Sequence, residues 1–360
     1  MFGIGNPWRD GINTWFVVAK STRSLNCANA VRRSAIAWIR VASPILLTRF
    51  DNHPEELTML HDAVIVGGSF AGLSAAMILA RARRRVLVID AGRPRNRYAA
   101  HSHGVLAQDG RAAQDLLGDA RAQVSTYPTA TLLTGEAVSA SSEDGRFVVR
   151  LANGDKAESR RLLIATGVTD VLPEIPGVVQ RWGKTVLHCP YCHGYEIGGG
   201  TIGVLATAAS SARQALLIAD WGQVIFFTAG KIDLDIETRR LLAKRKVTIE
   251  PVPVTALEGP ETELEGVRLA DGRLVPVRAL FVRPSTRMAS PLAERIGCAF
   301  DQAPNGTIIR TDAEKLTTVP GVYGAGDAAR VPNDITLASA DGIIAGLGIH
   351  HSLIAEDSAD

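Results

Sequence analysis

The chain is short of cysteine, aromatic residues and net charge, and each shortage removes a class of protein. Four cysteines stand among 360 residues, at positions 27, 189, 192 and 298, and only Cys189 and Cys192 lie close together. A secreted, disulfide-scaffolded fold needs more cysteines paired throughout the chain, so this pattern fits a redox motif in a cytoplasmic protein. The formal net charge is +2, with no dense basic stripe, which excludes nucleic acid as a partner. Long hydrophobic runs are missing as well. The apolar stretch 35–47 is broken by Arg40 and Pro44 and is too short to span a bilayer, so no membrane partner is expected. Glycine, in contrast, is abundant at 34 residues, in a composition that is 46% hydrophobic and 21% charged. That is a soluble α/β protein with enough chain for two domains.

Residues 1–58 stand apart. They hold Trp8, Trp15 and Trp38, three of the five tryptophans, together with scattered arginines. One reading is a transit-type leader, from the Arg- and Ser-containing composition. The other is an appended, poorly ordered extension with Met59 as the true start, favoured because the first core strand follows within three residues.

Beyond that point the chain reads as nucleotide-binding units. Residues 62–66 (DAVIV) form a buried strand, a glycine turn follows, and a helix is expected over about 71–83 before a second strand at 86–89. A hairpin is expected from 147–151 and 161–165 around the Asn153-Gly154 turn. Pro173 and Pro176-Gly177 suggest an interdomain hinge. A second βαβ pattern occupies 201–227, and the chain returns to the first unit around 284–291, ending in a helix from about Thr336. The expected fold is α/β, with two Rossmann-like domains, the second inserted into the first. The boundaries are 59–168 and 286–355 for the first domain and 169–285 for the insert.

The first turn, Val66-Gly67-Gly68-Ser69-Phe70-Ala71-Gly72, is a G-x-S-x-x-G form of the dinucleotide fingerprint. Gly67 permits the tight turn and Gly72 close helix–strand packing, and the helix N-terminus faces a pyrophosphate. Ser69 stands where a glycine usually lets the backbone approach phosphate. Gly68 and Ala71 complete the turn, and Asp90 has the spacing to accept a ribose hydroxyl.

Two further segments, Leu162-Leu-Ile-Ala165-Thr166-Gly167 and Thr317-Thr-Val-Pro-Gly-Val-Tyr-Gly-Ala-Gly326-Asp327, resemble the paired marks of two-domain flavoprotein disulfide reductases. With Cys189-Pro-Tyr-Cys192 between them, the chain resembles a low-molecular-weight thioredoxin reductase from about residue 59 to 354. The resemblance implies FAD, a contact from Asp327 to its ribityl chain, and a homodimer. It makes Cys192 the flavin-proximal thiol and Cys189 the one that exchanges with substrate. These reductases usually carry an aspartate acid/base after the second cysteine; here His193 stands there, with His188 on the other side, and imidazole can take and return a proton near neutrality. His101-Ser102-His103 either lines the site or is a polar loop. Zinc is not expected, because four ligands in six consecutive residues hardly converge tetrahedrally.

The second fingerprint is missing. After Ile202-Gly-Val-Leu205 the chain reads Ala206-Thr207-Ala208-Ala209-Ser210, and each absent glycine puts a Cβ where backbone must approach pyrophosphate. Where a basic cluster should clamp a 2′-phosphate stand Thr228-Ala229-Gly230, with Lys231 the nearby cation, and one lysine does not replace a planar arginine fork. NADP(H) is therefore doubtful. The combination resembles the flavin-dependent dithiol oxidases, which implies oxidation of a small-molecule dithiol with molecular oxygen reoxidising the flavin. The alternatives are an NADPH-dependent reductase serving a thioredoxin-like protein and a flavin-binding redox sensor.

Overall fold

The computed structural model describes residues 57–143 and 145–359. The expectations placed on the N-terminal extension, and Cys27 with it, lie outside the described residues. Strand β1 (Leu60–Val66) leads through the glycine turn into helix α1 (Phe70–Arg81) and back to β2 (Val86–Asp90). Helix α2 (Ala113–Ser125) precedes β3 (Ala130–Thr134), β4 (Ala137–Glu143), β5 (Arg146–Leu151) and β6 (Lys156–Ile164). β1 pairs in parallel with β2, Ala63 opposite Val86, and with β6, Val64 opposite Leu162. Side chains alternate across a strand, and here both faces are covered. Val64, Val66, Leu87, Ile89, Leu162 and Ile164 fill the core on one side; Ala63, Ile65, Val86, Val88 and Leu163 fill it on the other. Hence these strands read as unbroken apolar runs rather than alternating ones.

The hairpin expected from 147–151 and 161–165 is tighter than its sequence suggested. β5 pairs with the first half of β6, Phe147 opposite Ser159 and Arg150 opposite Lys156, while residues 162–164 belong to the same strand's second half. The reason is division of labour along β6, since its polar start answers β5 and its apolar end lies between β1 and the late strand described below.

The inserted unit is a second parallel sheet. Its strands are β7 (Val186–Leu187), β8 (Thr201–Leu205), β9 (Gln223–Phe227), β10 (Thr248–Glu250) and β11 (Ala279–Val282), in the order β10-β9-β8-β11-β7. Helix α3 (Pro190–Ile197) lies between β7 and β8, and α4 (Ser211–Ile218) between β8 and β9. Segments Val168–Val171 and Ser285–Met288, which carry the chain out and back, pair antiparallel with Thr169 opposite Arg287. The chain then adds β12 (Val322–Gly324) to the first sheet beside β6 and closes with α5 (Ile335–Asp357).

Among the described residues, α5 is the helix long and apolar enough to cross a bilayer by length and composition. Its small residues instead pack along α1. A Cβ on Gly342 would overlap the Ala71 carbonyl, and one on Gly346 would press on Ala75. This close approach fixes where the N-terminus of α1 points.

Candidate active site

The C-terminal ends of β1, β2, β6 and β12 meet at one edge of the first sheet, where ligands bind in open parallel sheets. Backbone hydrogen bonds align them: Gly67 N–H donates to the Ile89 carbonyl (2.8 Å), Ala165 N–H to Val66 (2.8 Å) and Ala325 N–H to Ile164 (3.1 Å). A cavity opens above them. Of the residues expected from sequence, it is lined by Gly67, Gly68, Ser69, Ala71, Asp90, Ala165, Thr166, Gly167, Gly326 and Asp327, and also by His188, Cys192 and His193 from the inserted unit. Gly72 and Cys189 lie off its wall. Gly72 works from behind, for any Cβ there would overlap the Gly67 carbonyl, and Gly67 itself has φ +109°, a conformation only glycine adopts without strain. His101, Ser102 and His103 all line the cavity, which decides between the two readings of that segment.

The N-terminus of α1 is open. Ser69 occupies the cap position in extended backbone, but its side chain caps nothing, and the first turn holds no acidic residue. Unsatisfied N–H groups and the positive end of the helix dipole therefore face the cavity, as a pyrophosphate requires. Asp90 faces the same space and accepts from Arg121 at 2.6 Å through one oxygen.

Arg95 was not expected from sequence, since it is one arginine among several in a loop. It forks onto Asp170 and reaches Asp327 at 2.9 Å, tying the strand leaving the first domain to the residue expected at the ribityl chain. Burial opposes the Arg95 charge, but the two carboxylates prevail and hold its pKa above the ordinary value.

Cys189 and Cys192 are joined as a disulfide, with Cα atoms 5.4 Å apart. Cys189 is the N-cap of α3 and Pro190 opens the helix, so Cys192 is carried one turn inward to the cavity wall. Gly194 lies against Trp221, whose ring also meets Tyr191 edge-on at 5.5 Å, and Gln214 of α4 donates to the His188 carbonyl at 3.0 Å. These contacts hold the dithiol helix on the inserted sheet. His188 stacks at a tilt on Trp182, with centroids 5.8 Å apart. Burial first, then the neighbouring Arg95 charge, push its pKa down to about 4, against a partial pull from Asp170. His193 is also lowered, chiefly by burial; Glu196 opposes this and His103 adds to it.

The matching turn of the inserted sheet is built differently. Ser211, the first residue of α4, turns its hydroxyl back to accept from the N–H groups of Thr207 (3.1 Å) and Ala208 (3.2 Å). Thr207 donates its own hydroxyl to the Arg283 carbonyl at 2.6 Å. The loop donors of Thr207 and Ala208 are thus satisfied within the chain, while α4 itself, like α1, begins without a side-chain cap. At the end of β9, Thr228 is buried against the Glu250 backbone, Lys231 is exposed, and the Glu250 carboxylate is paired with Arg273 at 2.8 Å.

Compared with known protein families, residues 61–342 match the pyridine nucleotide-disulphide oxidoreductases. The chain belongs to that family. Within it, this oxidoreductase is thioredoxin reductase-like. It is 30% identical over 307 residues to thioredoxin reductase tcpT of Claviceps purpurea, covering 82% of this chain and 95% of that protein. It is 31% identical over 319 residues to thioredoxin reductase sirT of Leptosphaeria maculans, covering 83% and 96%. Among solved structures, an oxidoreductase from Agrobacterium tumefaciens superposes with a TM-score of 0.79 at 43% identity, over 82% of this chain and 99% of that one. HlmI does so at 0.78 and 40% identity, over 83% and 94%. The fold of two Rossmann-like domains, one within the other, is that of these neighbours. The enzyme is an FAD-dependent oxidoreductase acting on disulfides, and the uncapped α1 terminus, the Gly67 turn and the flanking Asp90 fit the flavin dinucleotide.

Proposed function

We propose that this enzyme runs toward disulfide formation, oxidising a small-molecule dithiol through Cys189–Cys192 with molecular oxygen as the final electron acceptor. The observation that carries this reading is the inserted turn in which Ser211 takes the donors of Thr207 and Ala208, together with the missing arginine clamp; both count against NADPH as the electron donor.

The thioredoxin reductase resemblance makes Cys189 the sulfur that meets substrate and Cys192 the one facing the flavin, and the place of Cys192 on the cavity wall supports it. A substrate thiolate attacks Cys189 Sγ, forming a mixed disulfide and releasing Cys192 as thiolate. The second substrate thiolate attacks the first substrate sulfur, forming the product S–S bond and releasing Cys189. His193, on the cavity wall beside Cys192, takes a proton from a substrate thiol at its ring nitrogen. His188 is kept neutral near pH 7 by burial and Arg95 and is held in place against Trp182. With molecular oxygen as the final acceptor, the two-electron carrier between the dithiol and oxygen would be FAD. Asp90, Asp327 and the α1 N-terminus would hold it.

The second reading is a disulfide reductase serving a thioredoxin-like protein, favoured by the names of the curated relatives. Cys192→Ser tests the dithiol step common to both. Turnover of a small dithiol, followed as peroxide release, is expected to fall on the order of 10³-fold or more. A full rate in that variant would exclude the route through Cys192.

A further inference from the structure

Oxidation of one dithiol strips two protons from substrate while its electron pair enters the cysteine couple. If both cysteines leave as thiolates, two proton acceptors are needed, and His193 is one of them. His188 is a poor second, with its ring buried beside Arg95. Another histidine shares the cavity. His103 lines it together with Cys192 and His193, on the loop that follows the first βαβ unit.

That loop is closed on itself. Ser102 N–H donates to the Arg111 carbonyl at 2.7 Å, and Gly110 N–H to the Ser102 carbonyl at 2.9 Å. Gly104 N–H donates to Asp109 Oδ1 at 2.8 Å, which fixes the aspartate beside His103. His103 Nδ1 lies 3.6 Å from Asp109 Oδ2 and 3.4 Å from Glu196 Oε1. Glu196 is on the dithiol helix, three residues after His193, and so shares its face. The remaining titratable neighbours are His193, whose positive charge that of His103 opposes, and His101, whose ring centre is 6.5 Å away and whose Nδ1 is engaged by the Gly110 carbonyl at 3.1 Å. Side-chain exposure rises from 20% at His103 to 41% at Glu196 and 68% at Asp109, so the cluster runs from cavity to solvent.

We propose that His103, set between Asp109 and Glu196, is the second proton acceptor of the dithiol site, working beside His193 and passing its proton outward along the two carboxylates. The inference rests on the dithiol-oxidation reading. In the step it serves, the second substrate thiol loses its proton to the His103 ring as the product S–S bond forms and the bond to Cys189 breaks. No further oxidant or reductant is needed, because the electron pair stays on the two cysteines.

The test is anaerobic reduction of the FAD-loaded enzyme by dithiothreitol in stopped flow, comparing wild type with His103→Gln and Glu196→Gln between about pH 6 and 9. Flavin bleaching gives one readout. Free cysteines trapped by alkylation and counted by intact mass give a second that does not depend on flavin colour. His103→Gln is expected to be roughly 10- to 100-fold slower near neutrality, with the gap closing as pH rises and added imidazole restoring part of the rate. Glu196→Gln should show a smaller loss with a displaced pH profile. An unchanged rate and profile in His103→Gln would overturn the proposal. So would a pH-independent loss that imidazole does not rescue, since that would mean the contact merely fastens loop to helix. A wild-type enzyme that dithiothreitol does not reduce would sink the oxidation reading itself, and the relay with it.

Discussion

The molecule contains the same strand–turn–helix corner twice, once open and once closed. At Gly67–Gly72 no side chain turns back onto the backbone donors, α1 begins uncapped, and its N-terminus faces a cavity. At Ala206–Ser211 a parallel strand again feeds a helix, but the Ser211 hydroxyl turns back and takes the loop donors of Thr207 and Ala208. The fold survives either way, since β8 remains fully paired between β9 and β11. A Rossmann-like corner is thus a scaffold, and whether it binds a nucleotide depends on a few atoms at its tip. In this enzyme the second corner has kept the task of carrying the dithiol helix, through Gln214 and Trp221.

The largest expected effect comes from closing the open corner. Gly72→Ala drives a methyl into the Gly67 carbonyl, and bound flavin, read from visible absorbance per protein after purification, should drop at least about tenfold. Full flavin content in a folded Gly72→Ala protein would break the comparison. The smaller effect comes from opening the closed corner. Ser211→Ala removes an acceptor from two N–H groups at a partly exposed turn, and urea unfolding should show a loss of about 1 kcal/mol with flavin retained. NADPH should still fail to bleach this variant, because Lys231 alone offers no arginine fork; rapid bleaching would show that the hydroxyl was the whole barrier.

Much of this was legible in the chain. The buried runs of β1 and β2, the glycine turn and Asp90 announce the open corner, because a two-sided parallel sheet admits only apolar strands and its turn tolerates few side chains. The disulfide pair announces itself by spacing. Less legible was β6, whose first half is polar because it lies in a hairpin and whose second half is apolar because it lies in the sheet, so pattern alone divided one strand into a turn and a strand. Helix α2 went unrecognised since much of its surface is polar and exposed. Arg95 could not be singled out: its partners Asp170 and Asp327 are 75 and 232 residues away, and only the folded chain brings them together. His103 and Glu196 pair across domains for the same reason.

The measurement that bears most directly on the account is anaerobic titration of the oxidised flavin, once with NADPH and once with a small dithiol, before air is admitted. Bleaching by the dithiol and not by NADPH, then recolouring in air with hydrogen peroxide released, is the predicted result. Rapid bleaching by NADPH would contradict it, showing that the closed corner still seats a nicotinamide nucleotide and that the enzyme works as a reductase.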